Sequence, residues 1–531
     1  MTDAVVIGSG PNGLVAANLL VDAGWSVTVL EAQPTIGGAV RSDSEVAPGF
    51  THDTFSAFYP LAASSPTIQA LKLEDFGLRW VHAPAVLGNP LPDGSWAMLH
   101  RDADETAAGL DAAFPGDGEA WLRLCRIWDR LGNPIIRALL DPFPPVRAGA
   151  RFAAGISGAG GLQALRLLLV SVRRLGEEHF RGEGGRLLLA GNALHADFSP
   201  EGAGSGLFGL LLAMLGQTVG FPVPEGGAGE LTQAMARRFQ ARGGTISTGS
   251  EVATVVVRGG RAVAVRLADG EEVAADRAVI ATVSAPALYG GLVPLDDLPT
   301  RVRRGLMAFQ WDPSTIKVDW ALSSPAPWQP APTASPGTVH IAHSVDEVSI
   351  YAAQINGNTN PAEPLLLMGQ MTASDPTRSP AGTESMWAYC HLPQRPRSDA
   401  GDEGIRGVWD SDDLERMADR MQRRVERFAP QFASRIRARR ILGPRELQDR
   451  DANLHNGAIN GGTANLHQEL ILRPVPGLGR AETPIKGLYL GSASAHPGGG
   501  VHGAPGSNAA RAALAHDRLR PSRIRPVRPS R

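Results

Sequence analysis

Gly8-Ser9-Gly10-Pro11-Asn12-Gly13 is a G-x-G-x-x-G run set directly after the apolar stretch Ala4-Val5-Val6-Ile7. That spacing suits phosphate binding. Gly8 permits a tight turn, Gly10 lets the backbone approach a diphosphate, and Gly13 lets the following helix pack close to the strand. The free N–H groups and positive end of that helix favour an anion. Glu31 stands eighteen residues past Gly13, at the end of a second strand-like run, Ser26 to Leu30. A carboxylate there can accept hydrogen bonds from a ribose hydroxyl. Strand, glycine turn, helix (Leu14 to Ala23, closed by Gly24), strand and acid come in the order that a dinucleotide site requires.

The residues after Glu31 extend the site. Gly37, Gly38 and Arg41 follow within ten residues. A second glycine turn can bring more backbone N–H groups to a diphosphate, and an arginine can add charge. This segment resembles the dinucleotide-binding extension of the FAD-dependent amine oxidase and carotenoid desaturase superfamily.

The elements that would hold these residues come in separated pieces. A glycine-rich turn at Pro224–Leu231 leads into an amphipathic helix, Leu231 to Ala241. Strand-like runs follow at Thr245–Thr248, Val252–Val257, Ala262–Leu267 and Arg277–Thr282, with a hairpin turn at Ala268-Asp269-Gly270. A third piece joins the strand Gly487–Gly491 to a glycine-rich loop and the helix Ser507–Ala515. The expectation is a discontinuous dinucleotide-binding domain of residues 1–95, 224–295 and 456–516. The inserts 96–223 and 296–455 are expected to fold together as a substrate domain. The first reads as helical, at Glu119–Leu131, Leu162–Leu175 and Gly206–Leu215. The second reads as strands at Ser314–Leu322, Val339–His343, Pro364–Met371 and Glu384–Leu392, then a charged helix, Ser411–Phe428. The tail 517–531, with six arginines and three prolines, reads as basic and disordered.

Composition narrows the function classes. At 531 residues the chain is long enough for two or three domains. A net charge of -2 gives no global attraction for nucleic acid. The 48 arginines against three lysines read as coding bias. Cys125 and Cys390 are far apart, so neither a redox C-x-x-C nor a metal site is expected. No secretory signal or transmembrane run is expected, and the location expected is cytoplasmic, with peripheral membrane contact as an option. The apolar run Leu207–Leu215 reads as core, with a tunnel lining as the alternative.

The C-terminal block sharpens the reading. Leu488-Tyr489-Leu490-Gly491, His496-Pro497-Gly498-Gly499-Gly500-Val501 and Gly503–Gly506, together with Gly49-Phe50-Thr51-His52-Asp53, resemble the flavin motifs of the phytoene desaturase (carotenoid/retinoid oxidoreductase) family. Leu472–Gly477 and Thr483–Gly487 resemble its branch of pyridine nucleotide-disulfide oxidoreductase domain-containing protein 2. The resemblance covers the nucleotide segments, and the inserts match only in outline. It implies an α/β fold: a Rossmann-like FAD/NAD(P)-binding domain interleaved with a sheet-plus-helix (α+β) substrate domain. It implies noncovalent FAD, with the adenosine and diphosphate on Gly8, Gly10, Pro11, Asn12, Gly13, Glu31, Gly37, Gly38 and Arg41. Val252 would meet the adenine side. Gly491, Gly498, Gly499, Gly500, Val501 and Gly506 would lie along the flavin, with a helix starting near Gly506 directed at N1 and C2=O.

The chemistry implied is hydride transfer from a substrate C–H to flavin N5. The substrate would be a small apolar or isoprenoid-like molecule, and the electron acceptor oxygen, a quinone or another protein. An amine oxidase and a flavin-binding regulatory protein are the alternatives. No second nucleotide site is expected, because Gly158-Ala159-Gly160-Gly161 follows no strand and has no matching acid. His52, Asp53, His467, His496 and Lys317 are the candidate substrate-side groups. Each has a structural alternative: His52 and Asp53 could hold a loop, His467 and His455 could cap one, His496 could orient the flavin loop, and Lys317 could be a rim residue on an alternating strand.

Overall fold

The computed structural model of the chain describes residues 2–158, 161–162 and 166–519. Parts of the 158–161 glycine cluster, of the expected 162–175 helix and of the expected tail lie outside the described residues. Two sheets organise the rest, and the site lies between them.

The first sheet is five-stranded and parallel, in the order Leu488–Leu490, Ala278–Ala281, Ala4–Ile7, Val27–Leu30, Thr245–Ser247. The three pieces read as nucleotide-binding in the sequence thus meet in one sheet. Its strands are short and apolar because both faces are covered, as a parallel sheet requires. On one face Ala16, Ala17 and Leu20 pack with Phe239, Ala509 and Ala513 from three helices, Pro11–Asp22, Gly229–Ala241 and Ala504–Arg518. On the other, Val5, Ile7 and Val279 meet Val255 and Val265 of the antiparallel sheet Val252–Arg258, Arg261–Leu267, Glu272–Ala274.

The second sheet is seven-stranded and mixed. Its order is Ile436–Leu442, Ser314–Leu322, Glu384–Leu392, Leu366–Gln370, Pro336–Ile341, Ala85–Pro90, Trp96–Leu99. One face buries Ile316, Val318 and Trp320 against Met417, Met421 and Val425 of the helix Ser411–Glu426. The other packs Leu87, Leu99 and Leu367 against the helices Asp117–Leu140, Glu183–Leu194 and Ser205–Thr218.

Several expected boundaries move. Strands Ala85–Pro90 and Trp96–Leu99 join the second sheet, with Ala85 opposite Pro336, so the chain leaves the nucleotide layer before residue 85. Of the helix expected at 162–175, the described residues Leu162 and Arg166 are helical, and after a turn a separate helix, Val172–His179, begins where Ser171 accepts a hydrogen bond from the Arg174 N–H. The helix expected from Ser507 begins at Ala504, with proline in its first turn. Asp517, placed in the tail by its sequence, instead belongs to that helix and pairs with Arg277 at 2.9 Å.

Candidate active site

A cavity of about 1090 Å³ runs from the N-terminal glycine turn to the second sheet. At its head, Gly8 takes φ +96°, and a Cβ there would lie 2.6 Å from Thr282 Oγ1. A Cβ on Gly13 would lie 2.0 Å from the Gly8 carbonyl oxygen, so helix and turn touch backbone to backbone. Gly10 differs: a Cβ there would meet only Gly38 Cα, at 3.8 Å, and would otherwise project into the cavity. Gly10 is also the N-cap of Pro11–Asp22, whose first turn holds no acid and no side-chain cap. Asn12 Oδ1 is buried there without a hydrogen-bond partner among the described residues. Glu31 accepts from the Ser9 N–H (2.8 Å), the Ser9 hydroxyl (2.6 Å) and the Gln33 N–H (2.9 Å), and it lines the cavity.

Gly37 (φ +119°) and Gly38 (φ +54°) form the second turn. Gly38 lines the cavity, whereas Arg41 does not; its guanidinium donates to the Arg450 carbonyl (2.6 Å) and lies over the Phe55 ring. Asp451 lines the same wall, and burial pushes its carboxyl up to about 6. Sequence reasoning missed Asp451 because no motif contains it. Val252 lines the cavity as expected.

Of the C-terminal glycines, Gly499 and Gly500 line the cavity beside Val501. Gly491 and Gly506 are packing positions. A Cβ on Gly506 would lie 1.9 Å from the Asn12 carbonyl oxygen, and one on Gly491 would lie 3.4 Å from Gly506 Cα. Gly498 (φ +110°) is tucked beside Arg473. Arg473 is fully buried and donates to the carbonyls of Asn460, Thr463 and Ala493. It clamps the loop before residue 464 under the glycine-rich loop, which gives the Leu472–Gly477 motif a physical role.

The substrate-side candidates separate. His496 lines the cavity, with Nε2 on the Asp141 carbonyl at 3.1 Å. His52 and Asp53 are fully buried outside it. His52 Nε2 bonds the Trp320 carbonyl (3.1 Å), and Asp53 accepts from Arg378 (3.0 Å) and the Ala228 N–H (2.8 Å). His467 is exposed and bonds Gln310, while His455 stacks on Trp311 at 4.7 Å. Lys317, a candidate substrate-side group with a rim position as its alternative, is buried and lines the cavity. Its ammonium donates to Asp319 and to the Asp53 carbonyl (2.9 Å) and lies 5.8 Å from the Trp387 ring centroid. Burial pulls its pKa below the usual range for lysine, and Asp319 opposes that shift.

Residues 12–379 match the family model described as flavin containing amine oxidoreductase. The chain belongs to this family. It is 31% identical to mouse pyridine nucleotide-disulfide oxidoreductase domain-containing protein 2, over 96% of this chain and 92% of that one. Against the phytoene desaturase (lycopene-forming) of Pseudescherichia vulneris it is 25% identical, over 97% and 99%. The fold matches an oxidoreductase from Methanosarcina mazei with a TM-score of 0.61, at 16% identity over 96% and 99%. The chain is therefore a flavin-dependent oxidoreductase acting on small molecules. Its residues fit the cofactor: the uncapped helix end and the opening at Gly10 suit a diphosphate. Neither cysteine lines the cavity.

Proposed function

We propose that the chain is an FAD-dependent dehydrogenase that introduces a double bond into an apolar, isoprenoid-like molecule. The observation that carries this reading is the continuity of one cavity from the glycine turns to an apolar helical wall. Leu207, Phe208, Leu211 and Leu212 of the helix Ser205–Thr218 line it, so the apolar run serves as both core and tunnel. Such a wall suits a hydrocarbon chain through burial of its surface.

When bound, FAD supplies the hydride acceptor, N5. The chain's residues do the rest. Residues 2–84, 224–295 and 456–518 form the cofactor-binding part. Glu31 and the uncapped helix at Gly10 hold the adenosine and diphosphate, while Gly499 and Gly500 leave backbone free against the flat ring. His496 and Lys317 are the titratable side chains that we assign to the reacting end.

An amine oxidase is the second reading, favoured by the family description. Trp387 and Tyr389 argue against it. Their rings stack on each other with centroids 6.0 Å apart and planes 22° apart, leaving no slot between them for an amine.

Anaerobic mixing of the flavin-loaded protein with isoprenoid hydrocarbons, fatty acyl compounds and primary amines tests the choice. Bleaching of the flavin by an isoprenoid supports the dehydrogenase. Bleaching by an amine alone replaces it with the oxidase.

A further inference from the structure

The cavity wall opposite the nucleotide turns carries a hydrogen-bonded polar chain that the reading above leaves unused. Lys317, Tyr389, Leu367 and His340 are direct partners across four adjacent strands and so share one face of the second sheet. Three strand spacings put His340 about 14 Å from Lys317. Tyr389 Oη is 3.1 Å from His195 Nδ1, and His195 Nε2 is 3.0 Å from His340 Nε2. His340 is fully buried, and its Nδ1 has no partner among the described residues. Tyr389 and His195 line the cavity.

The proton positions follow from cost. A buried N–H left unpaired is rarer in proteins than an unpaired acceptor. We therefore assign the orphaned His340 Nδ1 as the bare nitrogen. His340 Nε2–H then donates to His195 Nε2, and His195 Nδ1–H donates to Tyr389 Oη. The Tyr389 O–H is left free to donate into the cavity.

One residue supplies the complementary acceptor. Asn192 lies three residues before His195 on the helix Glu183–Leu194 and its C-cap, so the two share a face. Asn192 is fully buried, lines the cavity, and donates through Nδ2 to the Leu188 carbonyl at 2.7 Å. That bond fixes the amide orientation. Its Oδ1 has no partner among the described residues.

We propose that Tyr389 and Asn192 form a hydroxyl-binding pocket, so that the ligand is an apolar chain bearing one uncharged alcohol. The alcohol oxygen accepts from Tyr389 and its proton goes to Asn192 Oδ1. Burial holds His195 at about 4 and His340 well below the ordinary imidazole value, so the chain that ends at Tyr389 is neutral near pH 7, and the Lys317 ammonium on the same face is taken up by Asp319. A carboxylate would find no cation in the pair. The acids lining the cavity, Glu31, Glu251, Asp451 and Glu469, lie on other segments, so an ammonium is not favoured at this wall.

This inference rests on the apolar-substrate reading, and the test separates the two. Equilibrium dialysis of the flavin-loaded protein would compare phytanol with phytane, the same branched skeleton with and without a hydroxyl. Phytanol is expected to bind roughly 10- to 100-fold more tightly, the effect of two hydrogen bonds in a buried site. Tyr389→Phe and Asn192→Ala are each expected to shrink that ratio while leaving phytane affinity within about twofold. Equal affinities in the unmodified protein would overturn the pocket and leave the apolar reading standing. Binding of neither compound would overturn both. A parallel loss of both ligands in Tyr389→Phe would make Tyr389 a packing residue and overturn its assigned role.

Discussion

Gly10 and Gly38 meet backbone to backbone at the head of the cavity. A Cβ on Gly38 would stand 3.0 Å from Gly10 Cα, and a Cβ on Gly10 3.8 Å from Gly38 Cα. The two glycine turns, twenty-eight residues apart in the chain, therefore form one cradle. Gly38→Ala should strain it, because Gly38 sits at φ +54° and its new methyl would press on backbone. We expect a stability loss of about 1 kcal/mol with weakened flavin retention. Urea unfolding and the flavin content of the purified variant check both.

Gly13 and Gly506 face backbone oxygens at distances that no Cβ can occupy, 2.0 and 1.9 Å. Gly13→Ala and Gly506→Ala should each force the N-terminal helix away from its neighbour and cost about 3 kcal/mol or more. Their urea midpoints should fall well below those of variants at exposed glycines. Unchanged midpoints would mean that these helices are not packed as described.

Asp451 gives the site a pH dependence. Its carboxyl, raised to about 6 by burial, is protonated below that value and charged above it. A Cβ on Gly38 would lie 3.5 Å from Asp451 Oδ2, so the charged form would repel a diphosphate on the cradle. Flavin affinity should therefore fall as pH rises from 5 to 8, by roughly 10-fold. In Asp451→Asn the slope should flatten, with tighter binding at pH 8 and little change at pH 5. Flavin titrations at the two pH values check this; an unchanged slope would place the diphosphate elsewhere.

Lys317 is one partner in a buried ion chain. Asp319 also accepts from Arg440 (2.8 Å), which in turn reaches Asp43 (2.7 Å). Removing Lys317 leaves a buried carboxylate with one cation in place of two. Lys317→Met should cost about 2 kcal/mol, less than the loss of a sole partner, because Arg440 remains. A double-mutant cycle with Asp319→Asn should show positive coupling in urea unfolding.

Much of this was legible in the sequence because the nucleotide segments carry local rules. The turn at Gly8 and the strands Ala4–Ile7, Ser314–Leu322 and Glu384–Leu392 follow from glycine spacing and residue period. Lys317 allows two readings in the sequence, substrate-side group or rim residue, because alternation usually means a solvent face. Here Thr315 and Lys317 turn toward the cavity, while Ile316, Val318 and Trp320 face the core. Strand Ala85–Pro90 was absorbed into the wrong layer because its partner, Pro336–Ile341, lies some 250 residues away and no local signal announces it. Asn192, His195, Tyr389 and Asp451 come together only through the fold. Gly13 permits the close helix packing that its spacing implies, whereas Gly506, expected along the flavin, packs against the Asn12 carbonyl.

The central claim is that the cradle at Gly10 holds the flavin. Gly10 has φ -67° and extended ψ, so valine fits its backbone, and the protein offers its Cβ no clash. The most direct measurement is the visible spectrum of the purified chain beside that of Gly10→Val, with thermal unfolding of both. The account predicts one bound flavin per unmodified chain and a colourless variant that melts within a few degrees of it. A folded variant that keeps its flavin would contradict the account.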